Sequence, residues 1–427
     1  MSGLGATRRA GWAISDQALS SGTNFVLAVA VARTTGAAGF GAFSLAFGAY
    51  LVALTVSRAL ASEPFAIRYS ALEVDVWRIG AARATGSAFV VGSASGLLCV
   101  ALGIAVGGEV GPALTVLGVG LPGLLVQDAW RFAFFAARRG RDAFANDLAW
   151  TVALAVALGF VIVMGASDAG VLIFAWAVGG AVGAIVGVIQ SGVRPSPLQT
   201  RTWWREHRDI APRLALEGLV LSGTQQATFV GIAGVAGLAI LGALRAGQVL
   251  MNAMHVVTYA IPLFAVPEAV HLRMRSTSAL LRFCLLIGGS LTALATLWGI
   301  ALLLAPEQLG RALLRDSWTA ARPVLLGVTV ATAAGGTQMG ALVGLRSLAS
   351  TRRSLAARLA SSTLIFIGGV AGAAMAGAAG AAWGMAAGVC IGTVLWWAQL
   401  VRATRGVDAA SSDLTPGGSR ALNESAQ

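Results

Sequence analysis

A chain of 427 residues that is 57% apolar and only 11% charged, with a mean hydropathy of +0.78, is far from the composition of a water-soluble domain. Its net charge of +12 comes entirely from arginine, and those arginines are scattered over short segments with no aromatic stacking platform, which speaks against a nucleic-acid partner. Three well-separated cysteines without a CxxC, and three histidines without ligand spacing, give no reason to expect a disulfide framework, a metal or a cofactor.

Twelve apolar runs are long enough to span a bilayer, at 12–32, 41–62, 84–107, 112–137, 144–165, 169–190, 212–234, 238–263, 283–305, 323–345, 355–377 and 380–401. A crossing needs about 20 mostly apolar residues, because the hydrocarbon core is roughly 30 Å thick and a helix rises about 1.5 Å per residue. The expected fold class is an all-α integral membrane protein of about 12 transmembrane helices. Of the 30 arginines, 25 lie at the ends and in every second gap; Arg33, Arg311, Arg315 and Arg322 lie in the alternate gaps, and Arg245 lies inside a run. This is the positive-inside pattern, and it predicts a multi-pass cell-membrane protein with both termini cytoplasmic.

In chain order, the start does not read as a cleavable signal peptide, because Asp16 and Gln17 interrupt the apolar stretch. The first span carries Asp16, Ser20, Thr23 and Asn24 at i, i+4, i+7 and i+8, one helical face, which turns apolar at Leu27 and Val31. The second span ends at Arg58 and Glu63. The fourth ends at Asp128 and Arg131, a spacing that suits either a local ion pair or a cavity rim. Asn146 and Asp147 open the fifth. Residues 191–211 (SGVRPSPLQTRTWWREHRDIA) have two prolines and several arginines and read as a linker, with Trp203 and Trp204 as interfacial anchors. The seventh span carries Glu217, Thr224, Gln225 and Thr228, and the eighth holds Arg245 near Gln248 and Asn252. Loops on the arginine-poor side are short, the largest at about 306–322, and none is big enough to fold alone. The segment 406–427, rich in Ser, Gly, Asp and Asn, is expected to be disordered.

A shift of 201 aligns residues 16–43 with 217–244 without a gap, and nine of the 28 positions are identical. Asp16 meets Glu217, Ser21–Gly22–Thr23 meets Ser222–Gly223–Thr224, Asn24 meets Gln225, and Gly36 and Gly41 meet Gly237 and Gly242. Polar residues are rare in this chain, so their coincidence in one register signals a repeat. The shift carries span one onto span seven. Six is an even number, so the repeat is parallel, two six-helix lobes related by an axis along the membrane normal. The expected domains are an N-lobe at 1–198, a C-lobe at 199–405 and a cytoplasmic tail at 406–427.

Ionisable side chains inside a span cost about 2.5–3.5 kcal/mol or more and usually face a cavity or a partner. The groups above therefore read as the rim of a wet cleft between the lobes, where arginine forks suit phosphate oxygens. Each has a plainer reading. Asp16 can favour a helix N-terminus, Arg58 can snorkel to headgroups, and Arg245 can snorkel outward.

The segment Ala32–Arg33–Thr34–Thr35–Gly36–Ala37–Ala38–Gly39–Phe40–Gly41–Ala42–Phe43–Ser44–Leu45–Ala46 resembles a signature of the polysaccharide exporters (Wzx-type, O-antigen flippases) of the multidrug/oligosaccharidyl-lipid/polysaccharide, or MOP, flippase superfamily. Those proteins usually read A-R-x-L-G-P-x-x-F-G-x-(Y/F)-x-L-A between spans one and two. Arg33, Gly36, Phe40, Gly41 and Phe43 match, while Thr35 stands for the usual Leu and Ala37 for the usual Pro. The resemblance covers about residues 10–70. It implies a two-lobed flippase that moves a polyprenyl-diphosphate-linked oligosaccharide from the cytoplasmic to the outer leaflet, with polysaccharide-assembly proteins as partners. In that role Arg58, Arg131 and Arg245 would pair with the diphosphate, Ser20, Thr23, Asn24, Thr224 and Gln225 would bond sugar hydroxyls, and Asp16 with its counterpart Glu217 would carry a coupling proton or sodium ion.

Three rivals remain. A cation-coupled multidrug antiporter of the same fold would want an acidic cavity and aromatic walls. A polyprenyl-linked glycosyltransferase or polymerase would want acids or histidines in long outer loops, and the first outer loop, RTTGAAGFG, has none. A major-facilitator transporter would want a Gly/Asp/Arg-rich signature that RALASEPFAIRYSALE lacks.

Overall fold

The computed structural model describes the backbone of residues 3–69, 73–165, 168–348 and 350–413, and every regular element among them is helical. The order is α1 (Gly3–Thr34), α2 (Gly36–Ser57), a π-helical turn (Arg58–Ser62), α3 (Glu63–Tyr69), α4 (Val74–Val106), α5 (Val110–Ala136), α6 (Gly140–Val163), α7 (Ala169–Ser191), α8 (Thr200–Glu206), α9 (Ala211–Ala236), α10 (Leu238–Leu250), α11 (Asn252–Arg275), α12 (Thr277–Leu303), α13 (Glu307–Leu314), α14 (Asp316–Ala321), α15 (Leu325–Ser347) and α16 (Thr351–Asp413). Among the described residues, eight helical stretches are long and apolar enough to cross a membrane. The last of them, Arg352–Arg405, is broken at Ala376 and Gly377, the end of the eleventh predicted span. The helices α1 and α9 fall outside that set, and they are the two that carry the aligned polar stripes. Residues 414–427 of the expected tail lie outside the described residues, and α16 runs on to Asp413.

The chain divides into two compact units. One is Met1–Val249 with Pro306–Ala321; the other is Leu250–Ala305 with Arg322–Gln427. In the first, glycines sit where helices touch. Gly92 faces the backbone of Pro122 and Gly96 that of Gly118, joining α4 to α5, and Gly187 of α7 makes room for the buried ring of Trp130. In the second, Gly336 and Gly340 of α15 meet the backbone of α12 at Leu291 and Cys284, and Gly368 and Gly372 face Gly384 and Gly380 across the break in α16. Membrane helices gain no hydrophobic drive from meeting one another, so close backbone approach and dispersion hold them together. The outward faces are apolar: Leu97 and Ile104 on α4, and Phe160 and Val163 on α6, are exposed, as suits a lipid-facing surface.

The positions aligned by the shift of 201 behave alike. Gly36 (φ +68°) and Gly237 (φ +90°) each sit at the break between a polar helix and the next, in a left-handed conformation that other residues rarely adopt. A methyl group added at Gly41 would run into the carbonyl of Leu238, and one at Gly242 into the carbonyl of Ala37. Since 37 and 41 align with 238 and 242, α2 and α10 meet by a reciprocal contact.

Candidate functional site

The site lies wholly inside the first unit and is assembled from five helical segments. Asp16 and Gln17 come from α1, Arg58 from the π-helical turn, Gln127, Asp128 and Arg131 from α5, Asn146 and Asp147 from α6, and Gln190 from α7. Arg131 stands at the centre. Its Nε donates to Asp16 Oδ2 at 2.6 Å and lies 3.5 Å from Asp147 Oδ2, while its Nη2 donates to Gln17 Oε1 at 3.2 Å. Both carboxylates are sealed from solvent, with side-chain exposures of 0% for Asp16 and 1% for Asp147. Arg58 grips Asp128 with both arms of its fork, Nε to Oδ2 at 3.0 Å and Nη2 to Oδ1 at 2.7 Å, and its guanidinium lies 5.3 Å from the ring centre of Phe132. Bidentate pairs of this kind are among the strongest polar contacts available to a buried arginine.

Amides complete the shell. Gln127 Nε2 donates to Asp147 Oδ1 at 2.7 Å, and Asn146 Nδ2 donates to the Gly183 carbonyl at 2.9 Å and to Gln190 Oε1 at 3.3 Å. Two turns along α1 from Asp16, Thr23 shares a hydroxyl contact of 3.0 Å with Thr151 of α6. Two acceptors in this shell have no hydrogen-bond donor: Asp16 Oδ1 and Asp147 Oδ2. Three carboxylates thus stand against two guanidiniums, with buried carboxylate oxygens left over. Such a cluster can take one more positive charge, whether a proton or a small cation.

The sequence-predicted residues separate into groups. Asp16, Arg58 and Arg131 come together with Asp128, Asn146 and Asp147. Asp128 and Arg131 at the end of span four do not pair with each other: Asp128 turns to Arg58, and Arg131 turns to Asp16. Asp16 stands more than three turns inside α1, which starts at Gly3, so it does not serve a helix N-terminus. Arg58 points inward and is not free for headgroups. Ser20 and Asn24 are half-buried beside this cluster on α1, and Thr23 is buried. On α9, Thr224 is half-buried and Gln225 exposed, while the side chain of Glu217 lies outside the described residues. The face of α9 that meets α2 is instead Gly218, Ser222 and Gln226: Ser222 Oγ lies 3.1 Å from Thr55 Oγ1, and Gln226 fills the space above Gly48.

Arg245 is apart from the acids. It donates to Gln248 Oε1 at 3.0 Å, lies 4.9 Å from the ring centre of Phe229, and keeps a buried Nε without an acceptor; no carboxylate reaches it among the described residues. Sequence reasoning missed Gln17, Gln127 and Gln190, because an isolated amide in an apolar run carries no pattern. Gln17 and Gln127 adjoin Asp16 and Asp128, which was the available hint; Gln190 had none.

No protein-family model matches the chain, and no curated protein matches it. Solved structures do match in fold. An inward-facing multidrug resistance MATE family transporter of the MOP superfamily superposes with a TM-score of 0.61 at 13% identity, covering 92% of this chain and 96% of that one. The lipid II flippase MurJ in an inward closed conformation gives 0.61 at 11% identity, covering 92% of this chain and 89% of that one. An outward-facing MATE transporter of the same superfamily gives 0.55 at 12% identity, with 94% and 96% covered. The chain therefore has the fold of MOP-superfamily transporters, and with its apolar helices it is a multi-pass membrane protein.

Proposed function

We propose that this chain is an ion-coupled, alternating-access exporter of two six-helix lobes, whose cargo is a polyprenyl-diphosphate-linked oligosaccharide carried from the cytoplasmic to the outer leaflet of the cell membrane for surface polysaccharide synthesis. The observation that carries the coupling is the uneven charge of the Asp16–Arg131–Asp147 and Arg58–Asp128 cluster, three acids against two bases with unbonded oxygens on Asp16 and Asp147. A group that gains and loses one positive charge within a membrane helix bundle can bias the bundle between two conformations. The lipid-linked cargo is supported by Arg245, which no carboxylate reaches among the described residues and which can meet a phosphate oxygen, and by the fold shared with a lipid II flippase. Ser20, Asn24, Thr224 and Gln225 then serve as hydrogen-bonding groups for sugar hydroxyls, and Glu217 as the second-lobe counterpart of Asp16.

A second reading, a cation-coupled multidrug antiporter, is favoured by one specific observation. Arg58 and Arg131 are already held by carboxylates, which leaves the cluster acidic and Arg245 as the anion-binding candidate that no carboxylate reaches among the described residues. Cells separate the two. Arg245→Ala should abolish surface glycan while the protein inserts normally, and Asp16→Asn should remove dependence on a proton or sodium gradient. Intact surface glycan in the Arg245 variant, together with gradient-driven efflux of a cationic dye by the unaltered chain, replaces the first reading with the second.

A further inference from the structure

The segment 196–209, read from the sequence as a linker, packs within the first unit against the π-helical turn where the second helix leaves its α-helical course. In the π-helical turn the N–H of Glu63 reaches back five residues to the Arg58 carbonyl. The next residue is Pro64. An α-helix would place the N–H of residue 64 on the carbonyl of Leu60, but proline has none, and its ring crowds that carbonyl. The Leu60 carbonyl instead accepts the indole N–H of Trp203, from α8 of the linker, at 2.9 Å. Trp203 is fully buried, in a cluster with Phe65, Trp77 and Trp130.

The docking of α8 is fastened on both sides of that bond. Arg68 of α3 donates to the Glu206 carbonyl at 2.7 Å and to Asp209 Oδ2 at 2.6 Å. From α4, Arg83 donates to Gln199 Oε1 at 2.8 Å, and Ser87 accepts the Trp204 indole at 2.6 Å. Ahead of α8, the Ser196 N–H bonds the Ala82 carbonyl at 2.8 Å against the bare face of Gly86. Two residues before Leu60, in the same turn, stands Arg58 with its grip on Asp128.

We infer that Trp203 is the donor that replaces the backbone N–H missing at Pro64, and that the linker thereby holds the turn carrying Arg58 in its π-helical register. Undocking of the linker and loss of the Arg58–Asp128 pair are then one event, because a turn that slips from five-residue to four-residue bonding rotates Arg58 by about a quarter turn or more relative to α3. Trp203 is a positioning residue: it acts on Arg58 through Leu60 and touches no cargo. This coupling stands independently of which cargo the protein carries.

The test uses the full chain in nanodiscs and reads hydrogen exchange of the amides at 58–63. Trp203→Phe keeps a ring and deletes the N–H, and should raise exchange there by about tenfold or more, with α7 as the unchanged reference. Pro64→Ala restores a backbone donor for Leu60, so adding Trp203→Phe to the Pro64→Ala variant should raise exchange less than threefold. A purely packing role for Trp203 gives the same rise whether or not Pro64 is replaced, and that result, or no rise with Pro64 in place, overturns the inference. Should Trp203→Phe fail to accumulate, benzothienylalanine at 203 makes the same comparison with the bicyclic volume kept and the N–H gone.

Discussion

Replacing Arg131 by methionine removes the charge that serves two sealed carboxylates at once. Asp16 and Asp147 have side-chain exposures of 0% and 1%, and Arg131 itself is only 15% exposed. Breaking a buried ion pair by deleting one partner typically costs about 3–5 kcal/mol, because the remaining charge stays desolvated without compensation. At about 2–4 °C per kcal/mol for a unit of roughly this size, the melting temperature should fall by about 6–20 °C. Part of that cost belongs to Asp16, so Asp16→Asn combined with Arg131→Met should lose less than the two single losses added together. A coupling of about 1–3 kcal/mol is expected for residues in direct contact. The assay is thermal unfolding of the purified protein in one detergent, with Arg141→Met, an exposed arginine on α6, as the control that should move by no more than about 0.5 kcal/mol. An equal loss from Arg131→Met with Asp16 intact and with Asp16→Asn already in place would show that the pair is not the central contact described here.

Two further outcomes follow from the geometry. Gly242→Leu should wedge α10 off the Ala37 carbonyl and destabilise the protein by about 1–3 kcal/mol, whereas Gly234→Leu on α9, with nothing around it, should be silent in the same unfolding assay. His207, at the end of α8, donates from Nδ1 to the Trp203 carbonyl and leaves Nε2 buried without a partner; burial holds its pKa below the ordinary value, with Arg68 opposing and Glu206 and Asp209 favouring the charged form. The undocked histidine therefore takes up a proton at higher pH than the docked one. Linker docking should be fully present above about pH 7 and weaken as pH falls through the ordinary histidine range toward the depressed value, read as lower protection of the α8 amides relative to an unstructured chain at the same pH, a loss that His207→Gln abolishes.

The helical, membrane-crossing character of the scaffold was legible because apolar run length is a one-dimensional signal. The aligned glycines at 36 and 237 were legible for a similar reason: one turn geometry demands glycine twice, and the polar residues around it fix the register. That Asp16, Arg58, Asp128, Arg131 and Asp147 would be held by polar partners could be read from their cost inside a membrane helix. Their partners could not. Asp128 and Arg131 are neighbours on α5, yet each bonds a residue 70 and 115 positions away, and only the helix packing decides that. The tryptophans misled in the opposite direction. Trp203 and Trp204 sit where interfacial anchors sit, but Trp203 is fully buried and its indole donates to Leu60, while Trp204 stays exposed and donates to Ser87. An orphaned carbonyl made by a proline about 140 residues earlier leaves no trace near Trp203 itself.

The most direct test of the central claim is reconstitution into proteoliposomes carrying a polyprenyl-diphosphate-linked oligosaccharide in one leaflet. A proton or sodium gradient should drive the labelled head group across with the unaltered chain, and Asp16→Asn should make any residual movement insensitive to the gradient. Folded protein that leaves the lipid where it was placed, or moves it at the same rate with the gradient collapsed, would contradict the account.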